Sequence, residues 1–143
     1  PLPLPIHSKN EFIYLGEGQT PLIKCHRLSQ RLGLPNLWVK LEYQNPTGSF
    51  KARGRSAAIS KVFELGGTAV AIPSAGNAGG ATAAYAARVG LPAHIFMPKD
   101  VPEANRVECE ALGAKLELVD GLISDCGRII AERKDEEGWI VYV

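Results

Sequence analysis

From Leu37 onward the apolar and polar positions fall into two alternating regimes. "LWVKLEY", Leu37 to Tyr43, alternates apolar and polar residues, the period of a half-buried strand. A Pro-Thr-Gly-Ser turn follows, and the pattern predicts a helix from Phe50 to about Leu65, stopped by the Gly66-Gly67 pair as a C-terminal cap. "TAVAI", Thr68 to Ile72, reads as a short buried strand. A loop of small residues, Pro73 to Gly80, leads into an alanine-rich helix that ends near Val89-Gly90. "AHIFM", Ala93 to Met97, is the next strand, and Pro102 opens the first turn of a helix through Leu112. "KLELV", Lys115 to Val119, is a strand, a helix runs from about Ser124 to Glu137, and "WIVYV" closes the series.

Strands alternating with helices of this length form parallel βαβ units with right-handed crossovers. The expected fold class is therefore α/β: an open parallel sheet of about four main strands with helices on both faces. The first 36 residues read as an extended arm, opening on "PLPLP", plus a short helix from about His26 to Leu32. Open sheets of this kind bind ligands beyond the C-terminal ends of their strands. Both unusual loops, "QNPTGS" and "PSAGNAGG", follow predicted strands.

Composition narrows the function classes. Sixteen Lys+Arg against fifteen Asp+Glu leave a formal charge of +1, which disfavours nucleic acid or a membrane surface as a charge-driven partner. No apolar run approaches the roughly 18 residues of a membrane span, and no signal-peptide pattern is present. Cys25, Cys109 and Cys126 are widely spaced and unpaired in pattern, as expected of reduced thiols in a cytoplasmic protein. The three histidines form no metal-ligand spacing. The "WIVYV" ending, an apolar strand without a cap or polar tail, reads as part of a longer protein.

Two segments carry candidate chemistry. In Ser74-Ala75-Gly76-Asn77-Ala78 and the two glycines after it, a helix starts among very small side chains. Unpaired N–H groups at a helix start attract carboxylate or phosphate, and Asn77 can donate to an oxyanion without carrying charge. A plain helix cap by Ser74 or Asn77, with small residues for close packing, fits the same letters. In "NPTGSFKARG", Ser49 is placed to cap a helix, which puts Lys51 in its first turn. The positive end of the helix dipole opposes a cation there. Lys51 is thus either an amine held for nucleophilic work or a solvated lysine. Arg53, Arg55 and Lys99 read as solvated positions. There is no GxGxxG after a strand and no phosphate loop ending in Gly-Lys-Ser/Thr.

"GEGQTPL" (Gly16 to Leu22), "KLEYQNPTGSFKARG" (Lys40 to Gly54) and "SAGNAGGATAAYA" (Ser74 to Ala86), in this order, resemble the fold-type II pyridoxal-phosphate enzymes, most closely the threonine synthases. The resemblance runs from about Gly16 to Val143 and implies pyridoxal 5′-phosphate as cofactor. It makes Lys51 the Schiff-base lysine and base, and sets Phe50 near the cofactor ring. Asn77 becomes a donor to the cofactor's 3′ oxygen, and Ser74, Ala75, Gly76, Asn77 and Ala78 hold the carboxylate of an amino-acid substrate. It further implies conversion of O-phosphohomoserine and water to threonine and phosphate, in a cytoplasmic enzyme that is a homodimer at full length. Residues 1–45 would then be an arm and strand joining a large domain, and residues 46–143 the small α/β domain. The large C-terminal domain, with its glycine-rich phosphate loop and pyridine-nitrogen partner, would lie outside this sequence. Ala52 stands where these synthases usually carry Asp, a position that also varies in threonine/serine dehydratases, so a dehydratase or related β-eliminating or replacing enzyme is the alternative. A non-catalytic α/β folding module is another.

Overall fold

The short apolar runs Val70–Pro73 and Ala93–Pro98 are buried on both faces, as the central strands of a parallel sheet are. In the computed structural model, which describes Ile6 and residues 12–142, four strands build it. They are β3 (Val70–Pro73), β4 (Ala93–Pro98), β5 (Lys115–Val119) and β6 (Ile140–Val141), in the spatial order β5-β4-β3-β6 and all parallel. Val70 pairs with Ala93 on one side and Ile140 on the other. Val70, Ile72, Ile95 and Met97 share one apolar cluster with Ile59, Val62, Tyr85 and Cys109. The alternate positions Ala71 and Phe96 join Cys126, Ile130 and Trp139 in a second cluster. Helices α3 (Asn77–Arg88) and α4 (Glu103–Ala111) cover the first face, with α2 (Lys51–Glu64) packed along α3, and α5 (Ile123–Glu137) covers the second. The expected α/β architecture with helices on both faces is therefore present. No helix among the described residues is long and apolar enough to cross a membrane.

Helix ends follow local rules. Gly66 at φ +69° lets the chain leave α2, where the Gly67 N–H returns to the Val62 carbonyl at 2.9 Å and the Gly66 N–H to Phe63 at 3.0 Å. The structure shifts Pro102 by one position: at ψ 136° it is extended and precedes α4, accepting the Asn105 N–H at 3.0 Å.

The strand expected over Leu37 to Tyr43 is corrected. Only Trp38–Lys40 is extended (β2), and it pairs antiparallel with β1 (Leu22–Lys24), a strand the pattern did not suggest, outside the parallel sheet. Beyond Lys40 the chain coils into tight turns over Glu42–Gln44 and Pro46–Gly48. The cause lies in side chains: the Asn45 amide donates to the Glu42 carbonyl at 2.8 Å and the Asn45 N–H to the same oxygen at 3.2 Å. These local bonds outcompete a ladder. The short helix α1 (His26–Leu32) lies where expected. The "PLPLP" opening and His7 lie outside the described residues. Residues closer to β1 do not stand apart from the core, since Ile13 is buried against α2. Its N–H donates to Ser60 Oγ at 2.8 Å and its carbonyl accepts from Ser56 Oγ at 2.7 Å.

Two glycines test this packing in opposite directions. A Cβ at Gly79 would stand 2.6 Å from Met97 Cε and 3.1 Å from Cys109 Sγ, whereas one at Gly54, mid-helix, meets nothing within 4 Å. Gly79→Ala should lower the unfolding free energy by about 1–3 kcal/mol in a urea titration. Gly54→Ala should raise it by roughly 0.5–1 kcal/mol.

Candidate active site

Ser49 is extended (φ −149°, ψ 162°) and buried, Phe50 is already helical, and the Lys51 N–H donates to Ser49 Oγ at 3.3 Å. The serine caps α2 and Lys51 occupies its first turn, as the spacing suggested. The ammonium lies 4.5 Å from the centre of the Phe50 ring, which is 57% exposed. Among the described residues Lys51 has no carboxylate partner. A cavity of about 310 Å³ opens there, lined by Phe50, Lys51, Arg53, Gly54 and Arg55.

The second loop divides its labour. Ser74 is buried, and its hydroxyl accepts the N–H groups of Gly79 at 2.9 Å and Gly76 at 3.3 Å while donating to the Gly76 carbonyl at 2.9 Å. That hydroxyl is consumed as a cap. Among the described residues the N–H groups of Ala75, Asn77 and Ala78 take up no hydrogen bond, nor does the Asn77 amide side chain, and Ala75 and Asn77 are exposed. Gly79 and Gly80 serve packing rather than ligand approach. A Cβ on Gly80 would fall 2.1 Å from the Glu108 carboxylate, itself raised above its usual range by burial. Gly76 alone is open, its nearest neighbour to an added Cβ being Asn105 Nδ2 at 3.8 Å.

Tyr142 shows that the two helix starts lie level. Its hydroxyl meets Thr82 Oγ1 at 3.4 Å, in the second turn of α3, and its ring lies 5.0 Å from the Arg55 guanidinium, one turn into α2. Since α2 and α3 both run antiparallel to β3 and pack along each other, their N-termini sit at one end of the sheet. The first loop reaches that end on the α2 start, not on a strand of the parallel sheet as its position after "LWVKLEY" implied.

Spacing missed a network around this first turn. Glu42 accepts the Thr20 hydroxyl at 2.7 Å, the Asn45 amide at 3.0 Å, and both Nε and Nη2 of Arg53 at 2.8 Å. Asn45 Oδ1 in turn accepts the Gly18 N–H at 3.0 Å, and the Lys40 ammonium donates to the Thr20 carbonyl. Arg53, read as a solvated position, is therefore an ion-pair partner across the turn. Arg55 stacks on Tyr142, and Lys99 pairs with Asp120 at 3.0 Å. Glu17, 9% exposed, accepts the Tyr85 hydroxyl at 2.5 Å and the Leu15 N–H at 3.0 Å. Desolvation and that carboxylate push the Tyr85 phenol far up. Ala52 is fully buried in the same apolar cluster as Ile13 and Ile59, and its side chain faces the core rather than the cavity beside Lys51. Burial raises the Cys109 thiol to about 11, leaving it protonated.

Among the described residues the parallel α/β sheet thus presents, at one end, a lysine without a carboxylate partner and a level array of free N–H donors, a combination suited to an anionic, carbonyl-bearing ligand. The chain belongs to the pyridoxal-phosphate dependent enzymes: that family's profile matches residues 13–142, and the cofactor of the family is pyridoxal 5′-phosphate. It is 40% identical over 119 residues to a threonine synthase of Methanosarcina acetivorans, covering 82% of this chain and 29% of that one. Against a threonine synthase of Methanocaldococcus jannaschii it is 35% identical over 135 residues, covering 94% and 33%. The processed form of threonine deaminase isoform 2 from Solanum lycopersicum superposes with a TM-score of 0.76 at 28% identity, covering 87% of this chain and 34% of that one. The chain spans about a third of the length of the curated relatives it matches.

The Arg53 fork, the Thr20 hydroxyl and the Asn45 amide hold the Glu42 carboxyl well below the ordinary carboxylate range, at about 2. Its folded value is lower than its unfolded one, so its stabilisation is complete above the ordinary carboxylate range and is lost as pH falls through about 2. The melting temperature of Glu42→Gln should lie below that of the parent chain near neutral pH. Scans at decreasing pH should narrow that gap, and added salt should narrow it too.

Proposed function

We propose that the chain is the N-terminal part of a threonine synthase, converting O-phosphohomoserine and water to threonine and phosphate. The carrying observation is the Lys51 amine at the α2 start, without a carboxylate partner among the described residues and level with N–H groups of Ala75, Asn77 and Ala78 that those residues leave free. The threonine synthases at 35–40% identity favour this reaction over its siblings. In this reading residues 1–45 join a large domain contributed by further sequence, residues 46–143 form the small domain, and the full-length enzyme is a cytoplasmic homodimer.

The donor set fits the cofactor's carbonyl end: among the described residues, an amine free of carboxylate partners, the open amide of Asn77, and no acid lining the cavity beside Lys51. Lys51 would hold the cofactor covalently, Phe50 would lie beside its ring, and Asn77 would donate to its 3′ oxygen. Pyridoxal phosphate supplies an electron sink for charge developing at the substrate's α carbon. The N–H groups of Ala75, Asn77 and Ala78 bind the substrate carboxylate, with Gly76 admitting it and Ser74 fixing the loop from behind. The Lys51 amine would take the proton from the substrate's α carbon and move protons between the α and β carbons. The threonine deaminase neighbour supports a second reading, elimination from threonine or serine to a keto acid.

Phosphate release from O-phosphohomoserine by the longer enzyme, without keto-acid formation from threonine, is the expected result; the reverse pattern favours the dehydratase. Lys51→Ala should lower turnover by at least roughly 10²–10⁴-fold. These residues by themselves should bind the cofactor weakly. A stable borohydride-reducible adduct at Lys51 with stoichiometric cofactor would overturn that expectation.

A further inference from the structure

The turn that delivers Lys51 is conformationally uncomfortable. Thr47 sits in the left-handed region at φ 59°, ψ 22°, and Gly48 follows at φ 66°. A β-branched residue rarely adopts this conformation. Nor does the threonine side chain compensate, since its Oγ1 is buried without a partner among the described residues. Strained backbone persists only where its surroundings over-determine it. Within the turn, among the described residues, only the Gly48 N–H to Asn45 carbonyl bond, at 3.0 Å, closes the loop. Packing against α3 restrains the turn from one side, and both of its flanks lead to one carboxylate. Asn45, at the entry, donates to Glu42 Oε2, and Arg53, two residues past the lysine, grips both oxygens of the same group. Thr20 and Gly18 tie this assembly back to the preceding loop.

We propose that Glu42 is a positioning residue for Lys51, its one carboxylate clamping both ends of the Asn45–Arg53 segment so that the turn presents the amine in a fixed place. The inference rests on the role proposed above for Lys51. Glu42 touches neither cofactor nor substrate; it acts through Asn45 and Arg53. A bidentate guanidinium fork gives the clamp a direction that a point charge does not. Arg53→Lys should therefore release the turn although it keeps the charge.

Hydrogen-exchange mass spectrometry on the chain, on Glu42→Gln and on Arg53→Lys tests the clamp without any cofactor. In both variants amides between Thr47 and Arg53 should exchange roughly tenfold faster, as expected for loss of charge-assisted bonds, while β3, β4 and β5 keep their protection. Unchanged protection at the turn in both variants overturns the proposal, as does a loss spread evenly over the sheet. If Glu42→Gln fails to fold, Arg53→Lys decides. A second arm traps excess pyridoxal phosphate with borohydride and compares label on Lys51 with that on Lys40, Lys61 and Lys99. A Lys51 lead that shrinks about tenfold in the variants supports positioning. A lead that persists undiminished in both overturns this inference alone, whereas no lead in the parent chain overturns the reading of Lys51 and leaves the exchange arm to judge the clamp.

Discussion

Everything at the candidate site depends on how closely other elements approach helix α3. This helix is buried on nearly every side: Gly79, Gly80, Ala81, Thr82, Ala83, Tyr85 and Ala86 are all inaccessible or nearly so. The sheet, α4 and α2 each press against it. Helices meet at short range only where side chains are small, and here Met97, Cys109 and Glu108 occupy the space that a Cβ on Gly79 or Gly80 would need. The string of glycine and alanine is thus a packing requirement. Because α2 lies along this helix, its first turn ends up beside the free N–H groups of the second loop.

The electrostatics at that end of the sheet follow from which charges are already spoken for. Glu42 is taken up by Arg53, and Glu17 is turned inward to Tyr85. Glu108 lies behind Gly80 and is shifted toward its neutral form by burial. What is left facing the cavity beside α2 is a lysine, an aromatic ring and two arginine side chains. Donors without acceptors suit an anionic, carbonyl-bearing cofactor and a carboxylate substrate, in keeping with a pyridoxal-phosphate dependent enzyme. The arginines are themselves tethered, Arg53 to Glu42 and Arg55 over Tyr142, so they shape the wall.

Much of the fold was legible because its signals are local. The strand at Lys115–Val119 and the helix at His26–Leu32 fall where periodicity and glycine stops put them, and the Ser49 cap set Lys51 in a first turn. "LWVKLEY" misled because alternation cannot report that Asn45 and Glu42 will bond to each other and coil the chain after Lys40. β1 escaped notice because three residues carry too little pattern to be read alone. Ala52 looked like a marker of the reaction, yet it is packing: its side chain points into the core.

The sequence by itself determined the βαβ order, the helix starts that carry Lys51 and Asn77, and the family likeness. Each of these is written in residues within a turn or two of one another. Only the tertiary structure decided that those two starts stand level and that Glu42 grips Arg53 across the lysine's turn. Those facts depend on helices packing side by side and on side chains meeting across folded segments, and no spacing along the chain encodes such distances.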